Sequence, residues 1–161
     1  MNLRRSVAVA AFVLAVPVVS SCGVGFNEQT DQVYNPAAGV DDRSGSVNVL
    51  NALVVSGSNG SGTVIASLVN EDQSQPDKLV SVAGAGRDSS LQVTPGGSTE
   101  IPAGGVLNLA TDGQVFVRGS RVVPGSLVNL TFTFQRGKAV TLNTPVVSSS
   151  DPTYAGVKLP S

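Results

Sequence analysis

The sequence predicts an all-β domain with the architecture of a Greek-key β-sandwich. Apolar and polar residues alternate along several short segments, which is typical of strands with one buried face. Glycine, proline, asparagine or aspartate stands at nearly every junction between these segments. No window of a dozen residues carries a convincing helical apolar stripe. Seven or eight short strands are therefore expected over about 100 residues.

The clearest strand pattern lies in residues 126–135. Its apolar positions, Val128, Leu130, Phe132 and Phe134, alternate with Asn129, Thr131, Thr133 and Gln135. One apolar and one polar face are what a half-buried antiparallel strand requires. Gly137 marks a turn, after which residues 139–147 continue the alternation.

Upstream strands are predicted from the same signals. Residues 47–55 form a long apolar strand whose alternation slips near Asn51, which indicates a β-bulge. The turn sequence SGSNGSG follows, and then a strand at 63–69. Shorter strands are expected at 78–83, 91–94, 106–109 and 114–118.

The N-terminus has the order of a secretion signal. Arg4 and Arg5 precede an apolar run at residues 7–19, and small residues follow. Thirteen helical residues span roughly 20 Å. This is short of a bilayer core of about 30 Å, so a transmembrane helix is the weaker interpretation.

Cys22 is the only cysteine and lies within VVSSCGVG. The sequence Val19-Ser20-Ser21-Cys22, with Gly23 after it, resembles a bacterial lipobox. The resemblance implies that the Cys22 sulfur receives a diacylglyceryl group and that cleavage leaves Cys22 as the first residue. An ordinary cleaved signal with a leftover thiol, or an uncleaved helix, would explain the same residues.

The predicted organisation has four parts. Residues 1–21 are the lipoprotein signal peptide, and 22–44 are the lipidated Cys22 with a flexible tether. Residues 45–147 are the β-sandwich, and 148–161 are a flexible tail. The tether has no apolar periodicity, and a flexible chain of this length has a typical end-to-end distance of about 25 Å.

Composition excludes several functional classes. Loss of the signal with Arg4 and Arg5 leaves eight basic and eleven acidic side chains, which gives no nucleic-acid signature. The chain has no histidine, so the usual general base, metal ligand and triad partner are missing. No enzyme activity, catalytic residue, metal or cofactor is therefore expected.

Other local patterns are better explained as turns. GAGRDSS at residues 84–90 and GSNGSGT at 57–63 lack the remaining residues of phosphate-binding loops. NEDQSQPD at 70–77 lacks the central glycine and closing glutamate of an EF-hand, so a solvated hairpin loop is expected. The neighbouring carboxylates Glu71/Asp72 and Asp41/Asp42 would point to opposite strand faces and are not a catalytic pair.

Four basic residues also fall near predicted turns, namely Arg118, Arg121, Arg136 and Lys138. Gathered at one end of the sandwich, they would form a patch for anionic lipid headgroups. Separately solvated charges are the preferred interpretation.

Three segments carry a resemblance to a known family: LVNEDQSQPDKLVSV, EIPAGGVLNL and GSLVNLTFTFQRGKAVTLNTPVV. Their order, over residues 46–147, resembles the PCu(A)C-type periplasmic copper chaperones and the LpqE-like group of actinobacterial lipoproteins. The resemblance implies a cupredoxin-like β-sandwich. It also implies a Cu(I) site of His and Met, with one His-x-Met pair between the IPAGG-type segment and the next strand.

The chain departs from that ligand pattern. Two registers place the pair at Gln114 and Phe116 or at Val115 and Val117, and neither supplies a copper ligand. The remaining ligand positions fall at 84–94, where His and Met are also absent. Cu(I) prefers soft sulfur and imidazole donors, so no copper site is transferred.

The expected function is a non-enzymatic binding or assembly module of the cell envelope. The protein is expected on the extracytoplasmic face of the cell membrane, held by its lipid anchor, with an envelope protein as partner. An accessory role in copper homeostasis, or in copper delivery to an envelope metalloprotein, is the alternative.

Overall fold

Alternating apolar side chains build one curled β-sheet in the computed structural model, which describes residues 38–57 and 60–160. Within the described residues the sheet contains ten strands. They are β1 (Val40–Asp42), β2 (Val47–Ser56), β3 (Ser61–Asn70), β4 (Asp77–Gly84), β5 (Gln92–Pro95), β6 (Glu100–Ile101), β7 (Val106–Asn108), β8 (Val115–Arg118), β9 (Leu127–Phe134) and β10 (Val140–Ser148).

The strand order is β5-β8-β3-β2-β10-β9-β4-β6, with β1 beside β2 and β7 beside β3. Between the halves β5-β8-β3-β2 and β10-β9-β4-β6, the chain crosses after β3, β4, β5, β6 and β8, and these are crossovers of the Greek-key kind. Strands β2 and β10 run parallel, with Val146 opposite Val54, whereas the other pairs are antiparallel. The predicted all-β, cupredoxin-like Greek-key β-sandwich is confirmed.

Short helical turns lie outside the strands at Gly86–Asp88, Leu109–Gly113 and Pro152–Tyr154. In the part of the chain that the structure describes, no helix has the length and apolar character needed to cross a membrane.

The core lies between the two halves of the curled sheet. The predicted apolar face of β9 is the buried one, and Phe132 is its largest fully buried side chain. Phe132 stands opposite Val140 on β10 and Val82 on β4, so it joins three strands. Burial of these side chains supplies the main favourable free energy of folding, since the described residues contain no disulfide.

The predicted bulge at Asn51 is confirmed. The pairing of β2 with β3 shifts register between Leu50 and Leu53, and Asn51 has a φ of 51°. The Asn51 backbone N–H donates to Asp41 Oδ1 at 2.7 Å, and its side-chain Oδ1 accepts from the Gly39 N–H at 3.0 Å. The bulge thus holds the start of the domain against β2.

Both ends of the domain differ from expectation. Strand β1 pairs with β2, although residues 22–44 were expected to be tether, so the ordered chain begins before residue 45. The tail at 148–161 was expected to be loose, yet it contains the turn Pro152–Tyr154 and contacts the sheet. The predicted signal peptide, Cys22 and the predicted tether as far as residue 37 lie outside the described residues.

Candidate functional site

The two segments in which the resemblance places copper ligands are neighbours in the sheet. Strand β5 pairs with β8, with Gln92 opposite Arg118 and Thr94 opposite Phe116. Strand alternation puts the side chains of these four residues on one face. The two segments are about 20 residues apart along the chain, and the antiparallel pairing of β5 with β8 brings them together.

The structure also distinguishes the two possible registers of the missing ligand pair. Val115 and Val117 are only 3% and 2% exposed and belong to the core. Phe116 points to the opposite face and is half-buried. Gln114, just before β8, has a φ of 22°, and its carbonyl oxygen accepts from the Gly96 N–H at 2.6 Å. A surface ligand pair would therefore need the Gln114/Phe116 register.

None of the side chains at these positions suits Cu(I). Gln92, Thr94, Gln114 and Phe116 offer amides, a hydroxyl and a phenyl ring, whereas Cu(I) prefers thiolate, thioether and imidazole. The chain has no histidine, and its only methionine and cysteine are Met1 and Cys22. Among the described residues there is no group of three or more side chains of the His, Cys, Asp and Glu types that could hold a metal ion.

The face of β5 and β8 forms one wall of a groove with a volume of about 450 Å³. The opposite wall is the C-terminal strap, which we define as residues 157–160. The lining residues of the groove are Gln92, Thr94, Phe116, Val117, Arg118, Lys158, Leu159 and Pro160.

The strap is fixed by a hydrogen bond that sequence reasoning missed. The Thr63 Oγ1 donates to the Lys158 carbonyl oxygen at 2.6 Å, and Thr63 is 1% exposed. Thr63 lies on β3, next to Phe116 of β8 in the register. The strap therefore lies across the outer face of the sheet beside β8. An alternating strand pattern gives no signal for such a contact, because it predicts Thr63 only as an outward-facing polar residue.

Charges are unevenly distributed between the ends of the sandwich. Arg118 and Lys158 line the groove, while Arg87 and Arg121 lie at the same end beside the Gly86–Asp88 turn. We call these four residues the basic end. The buried Asp88 lies beside two of them, 3.7 Å from Arg87 Nε and 2.6 Å from Arg121 Nε.

The four basic residues singled out in the sequence do not gather at one end. Arg121 donates to the Leu127 carbonyl oxygen at the start of β9, whereas Arg136 and Lys138 follow the end of β9. Eight strand residues separate the two positions by roughly 25 Å. Arg118 and Arg121 instead share their end with Arg87 and Lys158.

A buried carboxylate organises the basic end. Asp88 is 1% exposed, and its Oδ1 lies 2.6 Å from Arg121 Nε. Its Oδ2 accepts from the Asn129 backbone N–H at 2.9 Å. Burial by itself favours the neutral acid, but the Asn129 N–H and the Arg121 guanidinium outweigh it and hold the pKa of Asp88 below its ordinary value. The ion pair ties the turn after β4 to the loop before β9.

Replacement of Asp88 by asparagine should destabilise the domain by about 2 kcal/mol at neutral pH, because charge-assisted hydrogen bonds are lost. A carboxyl whose pKa is lower in the folded state stabilises the fold above its unfolded pKa of about 3.9, and this stability is lost as the pH falls further. The difference in the free energy of unfolding between wild type and Asp88→Asn should therefore decrease below about pH 4. Urea unfolding at several pH values measures both effects.

The matched control for this prediction is Asp112→Asn, since Asp112 is exposed. It should leave the free energy of unfolding within about 0.5 kcal/mol of wild type. Equal losses in Asp88→Asn and Asp112→Asn would mean that the Asp88–Arg121 pair contributes no net stability.

The acidic segment 70–77 is a folded loop with internal hydrogen bonds. Asn70 is buried, and its Nδ2 donates to the Gln75 carbonyl oxygen at 2.8 Å. Asp72 Oδ1 accepts from the Ser74 hydroxyl at 2.7 Å and from the Ser74 backbone N–H at 2.9 Å, and these bonds lower the pKa of Asp72. Asp77 accepts the backbone N–H groups of Arg136 and Gly137. These carboxylates therefore serve the loop and the β9–β10 turn.

The adjacent acid pairs are engaged in local contacts. Asp41 accepts from the Asn51 N–H and pairs with Arg43 at 3.2 Å. Asp42 accepts from the Ser44 N–H at 2.9 Å, and Glu71 accepts from the Asn48 side-chain amide. None of these contacts forms the base–nucleophile arrangement of a hydrolase.

Comparison with known proteins rests on structure. No protein-family model and no curated protein sequence matches the chain. Solved structures do resemble it, including a copper-bound PCuAC domain from PmoF2 (15% identity, TM-score 0.55, 68% of this chain and 98% of that one).

Two further structures agree with this result. An apo PCuAC domain from PmoF1 has 16% identity and a TM-score of 0.55, covering 68% of this chain and 99% of that one. An apo PCuAC domain from PmoF2 has 18% identity and a TM-score of 0.55, covering 69% and 97%. The chain therefore has the fold of the PCuAC domains, a cupredoxin-like β-sandwich.

Proposed function

We propose that the protein is a lipid-anchored, extracytoplasmic binding or assembly module of the cell envelope. Its PCuAC-type sandwich holds no copper site of its own, and its role is non-enzymatic. One observation carries this proposal. The resemblance assigns His and Met to the segments on the β5–β8 face, but the side chains there carry amide, hydroxyl and phenyl groups instead.

The proposed location rests on the N-terminal pattern. A basic start, an apolar run and the VSSC sequence support cleavage before Cys22 and its lipidation. The anchor would leave the sandwich facing away from the cytoplasm. In that position the sheet faces and end loops are available to an envelope protein, which is the partner that we propose.

A non-enzymatic role is supported by the chemistry of the described side chains. A hydrolase needs a nucleophile activated by an adjacent base, and histidine is absent from the chain. The most buried carboxylate at the basic end, Asp88, is paired with Arg121. Its lowered pKa makes it a poor proton acceptor at neutral pH.

A Cu(I) competition titration tests the missing copper site. The protein should leave a chromophoric Cu(I) chelator fully loaded at micromolar protein concentrations, because it lacks soft donors on the sandwich. The double variant Gln114→His/Phe116→Met is compared with wild type in the same titration, since it introduces one His-x-Met ligand pair in the surface register. It should compete measurably better than wild type.

Stoichiometric copper uptake by the wild-type protein would contradict the proposal and would mean that other donors suffice. A Cys22→Ser version of the same protein distinguishes uptake by the sandwich from uptake by an unlipidated thiol.

An accessory role in copper delivery is the second candidate, and the solved structure described as a copper-bound PCuAC domain favours it. In this role the protein would contact a copper chaperone or a metalloprotein without holding the ion. Deletion of the gene should then lower copper loading of an envelope metalloprotein. Normal loading in the deletion strain would favour the general assembly role.

A further inference from the structure

We propose that the open edge of strand β4 binds an extended, uncharged peptide segment of the envelope partner, which adds to the sheet as a further strand. We define the open edge as residues 80–84 on the side of β4 that faces away from β9. The proposal rests on the proposed function, since it names the surface that such a partner would use.

The backbone of β4 has one side that is only partly paired. Strand β9 pairs with β4 along the other side, up to Gly84. Strand β6 covers the first side only through Asp77 and Lys78, after which the Leu79 N–H donates to the Thr99 carbonyl oxygen at 2.8 Å. Within the described residues, no strand pairs with the open edge.

Strand alternation indicates which backbone groups the open edge presents. The Ala85 N–H donates to the Asn129 carbonyl oxygen at 2.9 Å, so Ala85 points towards β9. In an antiparallel strand, the N–H and C=O groups of successive residues point to opposite sides. Those of Val82 and Gly84 therefore point away from β9, where an added strand can pair with them. Backbone groups in this arrangement recognise an extended chain.

The side chains of the open edge leave it unprotected. Exposed strand edges are usually blunted by charges or prolines, and residues 79–84 contain neither. Val80 is 58% exposed, the largest value among the large apolar side chains of the described residues. The register shift between Leu79 and Ser81 is in the pairing with β9, on the other side of the strand. By contrast, the edge strand β5 carries Pro95, which has no N–H to donate.

An apolar cavity of about 160 Å³ lies beside the open edge. None of its lining residues is charged; they are Leu79, Val80, Ser81, Val82, Val93, Pro95, Thr99 and Val115. A space of this size and lining accepts an aliphatic side chain, whereas burial of an unpaired charge there would be unfavourable. The bound segment should therefore carry an aliphatic residue at the position that faces the cavity.

The length of the open edge favours a peptide segment over a second copy of the domain. Five strand residues span about 17 Å. Two folded domains that meet only along such an edge would bury much less than the roughly 1,200 Å² of a stable interface. A single extended segment can instead pair with the backbone and place its own side chain in the cavity.

Amide NMR spectra of the full-length protein provide the test, with the acetylated and amidated pentapeptide Thr-Val-Thr-Val-Thr as the probe. The peptide should shift the amide signals of Val82 and Gly84 in a saturable manner. The matched control is the same peptide N-methylated at two adjacent central residues, which blocks both of its edges. It should bind at least about tenfold more weakly, equivalent to about 1.4 kcal/mol, because backbone hydrogen bonds are lost.

Two variants locate the binding surface. Val80→Lys should weaken the peptide about tenfold, because it places a charge on the open edge beside the apolar cavity. Val106→Lys makes the same replacement at a 54% exposed valine on β7 and should leave affinity within about twofold. Unchanged amide signals of β9 in the free Val80→Lys protein would show that the loss of binding is not a loss of fold.

Several results would overturn the proposal. They are the absence of saturable shifts at Val82 and Gly84, equal binding of the peptide and its N-methylated analogue, and equal effects of Val80→Lys and Val106→Lys. Shifts at the same amides that follow protein concentration without added peptide would assign the open edge to a second copy of the chain instead.

The proposed function can hold while this proposal fails. An envelope protein that crosslinks to a photoreactive residue placed at position 106, but not to one at position 80, would keep the assembly role and remove the open edge from it. Copper uptake and Cys22-dependent membrane anchoring test the proposed function alone, because neither measurement involves β4.

Discussion

Replacement of Cys22 by serine is expected to move the protein from the membrane fraction to the soluble fraction. Two acyl chains, at about 0.8 kcal/mol per buried CH₂, supply on the order of 20 kcal/mol of gross membrane affinity. No other single side chain in the sequence is expected to have an effect of this size. Detergent phase partitioning of both proteins, together with metabolic labelling by palmitate, measures the change.

The wild-type protein provides the control that separates the three interpretations of the N-terminus. A lipoprotein partitions into detergent only when Cys22 is present. An uncleaved helix would keep the Cys22→Ser protein in the detergent phase, and an ordinary cleaved signal would leave both proteins in water. Either of the last two patterns would show that Cys22 is not the anchor.

The Phe132→Ala variant should lose about 3–5 kcal/mol of unfolding free energy, which is a large part of the stability of a domain of this size. Phe132 is fully buried and pairs with Val140 and Val82 on the two flanking strands. Its truncation leaves a cavity that three strands surround, and a sheet cannot close around it without breaking pairing. Urea unfolding monitored by circular dichroism gives the free energy.

Phe116→Ala is the matched control, because it removes the same phenyl ring from a half-buried position on β8. It should cost less than half as much as Phe132→Ala, since solvent can fill the vacated space. Equal losses from both variants would mean that the core is not centred on β9.

Periodicity predicted the strands whose two faces have different environments. In β9 every apolar residue from Val128 to Phe134 lies at a buried position, because one face packs on the core and the other meets solvent. The Asn51 bulge was visible for the same reason, since one extra residue interrupts the alternation. Strand β1 escaped prediction because three residues with two aspartates carry no period.

The sequence could not predict contacts between residues far apart along the chain. The strap depends on a hydrogen bond from Thr63 to a backbone carbonyl 95 positions later, and no side-chain pattern encodes a carbonyl as a partner. The basic end depends on the pairing of β5 with β8 and on the length of β9. These contacts depend on the topology of the sheet, so the groove could be identified only from the structure.

The parallel pairing of β2 with β10 has a consequence for the order of events during synthesis. Val54 lies beside Val146, so the first long strand lacks one neighbour until the last long strand has left the ribosome. Non-local pairing of this kind slows folding, because the chain must close a long loop before the contact forms. A nascent chain that cannot fold early stays extended, which is compatible with the membrane crossing that we propose for this polypeptide.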